Sequence, residues 1–133
     1  AGQQVDSRTF DSVVENQKLV IKNRIEELRA NRPLPELDNK KVILADDGIA
    51  MGSTMMAAIR LCRNNNAEKV IVATPVTGLR TVDLIKKHAD KTIVVEVPEQ
   101  FRAVAQVYEN WTDVTDEQVH ELLAAYDRTT VEE

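Results

Sequence analysis

Residues 42–54 read Val-Ile-Leu-Ala-Asp-Asp-Gly-Ile-Ala-Met-Gly-Ser-Thr. An apolar run stops at two adjacent carboxylates, Asp46 and Asp47. A loop of small residues follows, and two hydroxyls, Ser53 and Thr54, close it. Two chemistries stand side by side here. A loop with Gly48 and Gly52 lets successive backbone N–H groups converge on one anion. A helix beginning near Ser53 would add unpaired N–H groups and a partial positive charge, and the two hydroxyls add donors. Together these make a phosphate cradle. The carboxylates do the opposite. Ionised, they only accept hydrogen bonds, so they repel a phosphate but hold sugar hydroxyls or the waters of a magnesium ion. A ligand with a phosphate at one end and hydroxyls nearby, such as a ribose 5-phosphate, fits both needs. Chemistry at the anomeric carbon would build positive charge, which neighbouring carboxylates stabilise. The loop has no lysine and is not a P-loop, nor does it match the dinucleotide Gly-x-Gly-x-x-Gly.

The flanking pattern supplies elements that position such a loop. Residues 1–9 are polar and expected to fray. From Phe10 the apolar residues Val13, Val14, Ile21, Ile25 and Leu28 fall at helical spacing, with Asp6, Ser7 or Asp11 as candidate caps and Pro33 and Pro35 as the stop. "KVILA" (41–45), "KVIVAT" (69–74) and "KTIVVEV" (91–97) are apolar, β-branched runs that predict buried parallel strands. Helices are expected over 53–64, from Thr77–Gly78 to near His88, briefly around 99–107, and over 116–127. The last opens on a Thr115-x-x-Gln118 capping box. The order α-β-α-β-α-β-α implies an α/β fold with a parallel sheet and right-handed crossovers. Ligands in such sheets bind beyond the carboxyl ends of the strands, where Asp46 and Asp47 fall. Three strands are few for a parallel sheet, which is normally covered on both faces. The domain is therefore expected to be incomplete, or completed by a second chain.

The chain has 133 residues, enough for one domain, with 43% hydrophobic and 29% charged residues. A net charge of -5 and a pI of about 5.1 argue against a nucleic-acid partner. The apolar runs are too short to span a membrane, and the N-terminus has no signal-peptide pattern. A single cysteine, Cys62, fits a reducing, cytoplasmic setting. His88, His120 and Cys62 have no metal-ligand spacing. Met51, Met55 and Met56 read as packing residues, Cys62 as a buried helix position, and His88 as a helix end. Phe101, Tyr108 and Trp111 read as a cap over the sheet edge, or as a platform for a base. Lys86–Lys87 and Arg60–Arg63 read as solvated faces.

The stretch "VILADDGIAMGST" resembles the phosphoribosyl pyrophosphate (PRPP) motif of type I phosphoribosyltransferases: strand, acid pair, short loop, then Gly-x-Thr. It is similar to the predicted phosphoribosyltransferases whose loops read "DDGIATGAT". "VATPV", "HADKTIVVEVPEQF" and "AVAQVYENWTDVTDEQVHELL" extend the likeness to about residues 20–125. The resemblance implies a phosphoribosyltransferase-like fold. It also implies ribose contacts from Asp46 and Asp47, and a 5-phosphate wrapped by Ala50, Met51, Gly52, Ser53 and Thr54. The family reaction displaces pyrophosphate from PRPP with a nitrogen nucleophile, usually a base, with Mg²⁺ bound. Two departures stand out in the loop. Met51 replaces a threonine common in the family, removing a phosphate hydrogen bond worth about 1–3 kcal/mol if made to a charged group. Ala50 replaces an acid that assists proton transfer in several members. The family also has strands, a pyrophosphate loop and a hood before this motif, for which residues 1–40 have no room. The chain thus looks like the C-terminal half of such a domain, and a homodimer or a complementary chain is expected.

Two other functional classes remain open at this point. "VILADD" also resembles the first strand of response-regulator receivers. Those need a phospho-accepting Asp after the third strand, where this chain has Glu96–Val97–Pro98. A non-catalytic interaction module of the same fold would account for the missing half and for Met51.

Overall fold

The computed structural model describes residues 7–130. Its elements, in chain order, are α1 (Ser7–Arg29), β1 (Lys41–Ala45), α2 (Ser53–Asn64), β2 (Lys69–Val76), α3 (Leu79–Lys86), β3 (Lys91–Glu96), a 3₁₀ turn (Val104–Gln106) and α4 (Asp116–Thr130). They form two compact units. One is residues 35–112, the sheet and its two helices. The other, among the described residues, brings together 7–34 and 113–130, which carry α1 and α4.

In the 35–112 unit the three strands are parallel and ordered β1-β2-β3. Because spatial order follows chain order, right-handed crossovers place α2 and α3 on the same face. That face is the core. Val42 and Leu44 of β1 and Val70 and Val72 of β2 meet Met55, Met56, Ile59 and Cys62 of α2 and Ile85 of α3. The central strand is buried as the sequence pattern demands, with Val70, Val72 and Val76 at or near zero exposure. No element of this unit covers the opposite face, which carries Ile43, Ala45, Ile71, Ala73, Ile93 and Val95. There Ile43 is 66% and Val95 85% exposed.

At the amino ends of the strands, Asp90 ties the crossover to the core. Its carboxylate accepts the Val70 N–H at 2.6 Å and pairs with Arg63 at 2.9 Å, while Arg63 also donates to the His88 carbonyl. Cys62 is buried, and burial raises its thiol pKa, which makes it an inert packing residue.

In the terminal unit, Arg24 of α1 pairs with Asp116 of α4 at 2.8 Å. The expected capping box is present: the Gln118 side chain accepts the Thr115 N–H, and the Thr115 hydroxyl accepts the Gln118 N–H. Three expectations change. α1 starts at Ser7, so residues 7–9 are helical rather than frayed, and Asp11 lies inside the helix; a cap from Asp6 falls outside the described residues. α1 also ends before its prolines, because Ala30 and Asn31 turn into the left-handed region. β2 runs two residues further than expected, through the exposed Pro75 to Val76. Among the described residues no helix is long and apolar enough to cross a membrane.

The Val70 N–H and Arg63 hold the Asp90 carboxyl below the usual carboxylate range. A group with a depressed folded pKa stabilises the fold above its unfolded pKa and loses that contribution as pH falls through the folded value. Replacing Asp90 with Ala should therefore lower the unfolding midpoint at neutral pH. The gap to the unmutated chain should close in acid, as urea melts across a pH series would show.

Candidate functional site

The loop between β1 and α2 is held against the end of β2. The Ile49 N–H donates to the Val76 carbonyl at 3.0 Å. The buried Thr77 hydroxyl donates to the Ile49 carbonyl, and the Thr81 hydroxyl to the Ala50 carbonyl, each at 2.8 Å. Ile49 itself is 3% exposed and anchors the loop in the core. These tethers leave the rest of the loop facing outward.

Gly52 turns the chain into α2 with φ +80°, a left-handed conformation that favours glycine. A methyl group there would also come within 3.0 Å of the Thr81 methyl. Gly52 occupies the N-cap position, and no side chain caps the helix. The first turn of α2 therefore presents its N–H groups outward, with the exposed Ser53 and Thr54 beside them. Asp46, Gly48 and Ile49–Met55 line one cleft of about 220 Å³. A neighbouring cleft of about 380 Å³ shares Ala50 and is lined by Gly78, Arg80, Thr81, Pro98, Glu99 and Phe101.

Of the residues singled out in the sequence, Asp46, Ala50, Met51, Gly52, Ser53 and Thr54 meet in the first cleft. Asp47 is exposed and stands outside its walls; its carboxyl is within hydrogen-bonding reach of that of Asp46. Burial, and then the Asp47 carboxyl beside it, push the Asp46 pKa up. Met51 does not pack: it is 83% exposed at the cleft rim, whereas Met55 and Met56 are buried. The acid pair offers oxygen donors suited to a hard cation, but no cluster of three or more His, Cys, Asp or Glu side chains exists among the described residues. Two adjacent carboxylates can bind a hard cation that keeps several of its waters.

The aromatic segment reaches the same loop. The Tyr108 hydroxyl donates to the Asp47 carbonyl at 2.5 Å, and its ring meets Trp111 edge-on with centroids 5.1 Å apart. Sequence reasoning treated Thr77 as a helix start and gave Thr81 no role. A hydroxyl spent on a loop carbonyl some thirty residues away leaves no local pattern.

The phosphoribosyl transferase domain model matches residues 4–110. The chain belongs to that family. Two Mycobacterium tuberculosis proteins (strains CDC 1551 / Oshkosh and H37Rv) that carry the name "Putative phosphoribosyl transferase" are each 32% identical over 118 residues. Each alignment covers 89% of this chain and 27% of the relative. The crystal structure of TT1426 from Thermus thermophilus superposes with a TM-score of 0.77 and 32% identity, over 90% of this chain and 57% of that one. This phosphoribosyl transferase-type chain therefore spans little more than a quarter of its curated relatives and just over half of the solved one.

The raised pKa of Asp46 has a cost. A carboxyl whose folded pKa lies above its unfolded value loses stability as pH rises from the ordinary carboxylate range through the folded pKa. Asp46→Asn should raise the thermal midpoint at neutral pH. That gain should vanish below the ordinary carboxylate range, which calorimetric scans at two pH values would test.

Proposed function

We propose that the cleft at 46–54 binds the ribose 5-phosphate part of PRPP, and that the domain, once complete, transfers the phosphoribosyl group to a nitrogenous base. The observation that carries this reading is the uncapped first turn of α2 behind the left-handed Gly52, with the Asp46 carboxyl in the same cleft. The 5-phosphate sits on the N–H groups of the loop and of α2, helped by Ser53 and Thr54. Without a threonine at 51, the backbone carries more of that task. Asp46, joined by Asp47, accepts hydrogen bonds from the ribose hydroxyls. Asp46 and Asp47 would be the residues to hold, through its waters, a magnesium ion bound to PRPP, whose charge would offset that of the pyrophosphate.

In the reaction the bond from C1 of the ribose to pyrophosphate oxygen breaks, and a bond from C1 to the nitrogen of the base forms. Positive charge develops on the ribose between these events, and the acid pair faces it. The loop holds no carboxylate at Ala50 to take the proton of the incoming base, so that proton leaves by another route. The cleft on the far side of Ala50 leaves room for the nucleophile to approach.

Calorimetric titration with PRPP and Mg²⁺ tests the binding step. Binding should weaken by about a hundredfold or more in Asp46→Asn/Asp47→Asn, as expected for two hydrogen bonds to charged groups. No heat from the unmutated chain, or equal affinity in the double variant, would overturn the assignment of the ribose to the acid pair.

The uncovered sheet face supports the proposal of a second copy or complementary chain, since parallel sheets are covered on both sides. Sedimentation of the 133-residue chain at micromolar concentration should show self-association. Ile43→Glu should abolish it. A monomer throughout would count against a homodimer.

A further inference from the structure

One segment, residues 101–111, crosses the carboxyl ends of the strands and touches the binding loop from outside the cleft. Its first foot is Phe101, whose ring lies where a side chain at Gly78 would stand, 3.2 Å from the position of a β-carbon there. Its second is Val104, whose γ-methyls fill the space a β-carbon on Gly48 would need. Gly48 is a glycine because of this close approach; its backbone does not enter the left-handed region. The third is Tyr108, whose hydroxyl bonds the Asp47 carbonyl and whose ring is buttressed by Trp111. Gln106 stiffens the segment between its feet. Its side-chain oxygen accepts the N–H groups of Arg102 and Ala103, both at 3.0 Å, and its amide donates to the Gln100 carbonyl.

These contacts converge on the Asp47–Gly48 peptide: Tyr108 holds its carbonyl and Val104 packs on the residue that supplies its nitrogen. Asp47 is the member of the acid pair that does not line the cleft. The Asp47 Cα, from which its carboxyl departs, is one end of that peptide, so holding the peptide holds the base of the side chain. The cradle residues 50–54 are tethered separately, through Thr77, Thr81 and Ile49.

We infer that residues 101–111 form a strap that aims the acid pair at the sugar, with Tyr108 and Val104 as its positioning residues, while leaving the phosphate cradle to its own tethers. This rests on the ribose-phosphate reading above. The two halves of the site are thus separable: loss of the strap weakens recognition of the ribose and spares that of the phosphate.

The test compares ribose 5-phosphate with inorganic phosphate as calorimetric ligands of the full chain, alongside thermal midpoints. Tyr108→Phe keeps the ring against Trp111 and removes one hydrogen bond. It should weaken ribose 5-phosphate about five- to tenfold and leave phosphate unchanged. Gly48→Ala pushes against Val104 and should weaken ribose 5-phosphate by about tenfold or more. Gly48→Ala/Val104→Ala, which returns the space, should recover most of that loss. Equal losses for both ligands, no loss in Tyr108→Phe, or no recovery in the double variant would overturn the strap's role. So would a Tyr108→Phe chain that no longer unfolds cooperatively, since the bond would then serve stability alone. An unmutated chain that binds phosphate and ribose 5-phosphate equally, or neither, would overturn the ribose-phosphate reading itself and the strap's role with it.

Discussion

Backbone groups lying against a packed sheet must be paired, and the 48–52 loop meets that demand with side chains from another element. The Thr77 and Thr81 hydroxyls accommodate the Ile49 and Ala50 carbonyls, and Val76 takes the Ile49 N–H. Everything else at the site depends on this arrangement. With its inward groups satisfied by β2 and α3, the loop needs no partner from its own outward side. The left-handed turn at Gly52 can then deliver the chain into α2 with the first-turn N–H groups still open to a ligand. Had a serine or aspartate capped α2 in the usual way, the fold would gain stability and the anion site would be filled by the protein itself.

The two ends of the sheet use carboxylates in opposite ways. At the amino end, Asp90 is stabilised by the Val70 N–H and Arg63, so its ionised form strengthens the fold. At the carboxyl end, Asp46 is partly buried beside a second carboxyl, so ionisation weakens the fold. A perturbed acid of this kind marks a place where stability gives way to binding. Under the proposed function, a cation and sugar hydroxyls would relieve this repulsion.

Much of this was legible in the sequence because it is written locally. β-branched runs gave β1 its bounds, and the change from strand to helical periodicity gave α2 its start at Ser53. The acid pair, glycines and hydroxyls lie within one nine-residue stretch, so they could be grouped from the residues themselves, while Ala50 and Met51 came only with the family resemblance; of the seven candidates, all but Asp47 line the one cleft. What was missed is written over long separations. Tyr108 and Asp47 are 61 residues apart, and Thr81 and Ala50 are 31; no window of periodicity joins them. Boundaries failed for a related reason. β2 runs past Pro75 because the ladder to β3 skips that residue and resumes at Val76–Glu96, and α3 starts at Leu79 with Gly78 as its N-cap. Met51 fits the loop reading rather than the packing one: its place at the cleft rim is fixed by the turn around it, whereas Met55 and Met56 pack as a methionine's chemistry favours.

The strand order carries a consequence for how the site is held. Since β1, β2 and β3 are neighbours in both sequence and space, each pairing closes only a single crossover, and the contacts that build this sheet are local in the chain. The tethers of Ile49 and Ala50 come from residues no further along the chain than Thr81. The clasp at Asp47 comes from a residue 61 positions later. The two parts of the loop thus hang on contacts of different reach: its 49–50 stretch on residues at and just after the end of β2, and its acid pair on a tyrosine beyond the whole sheet.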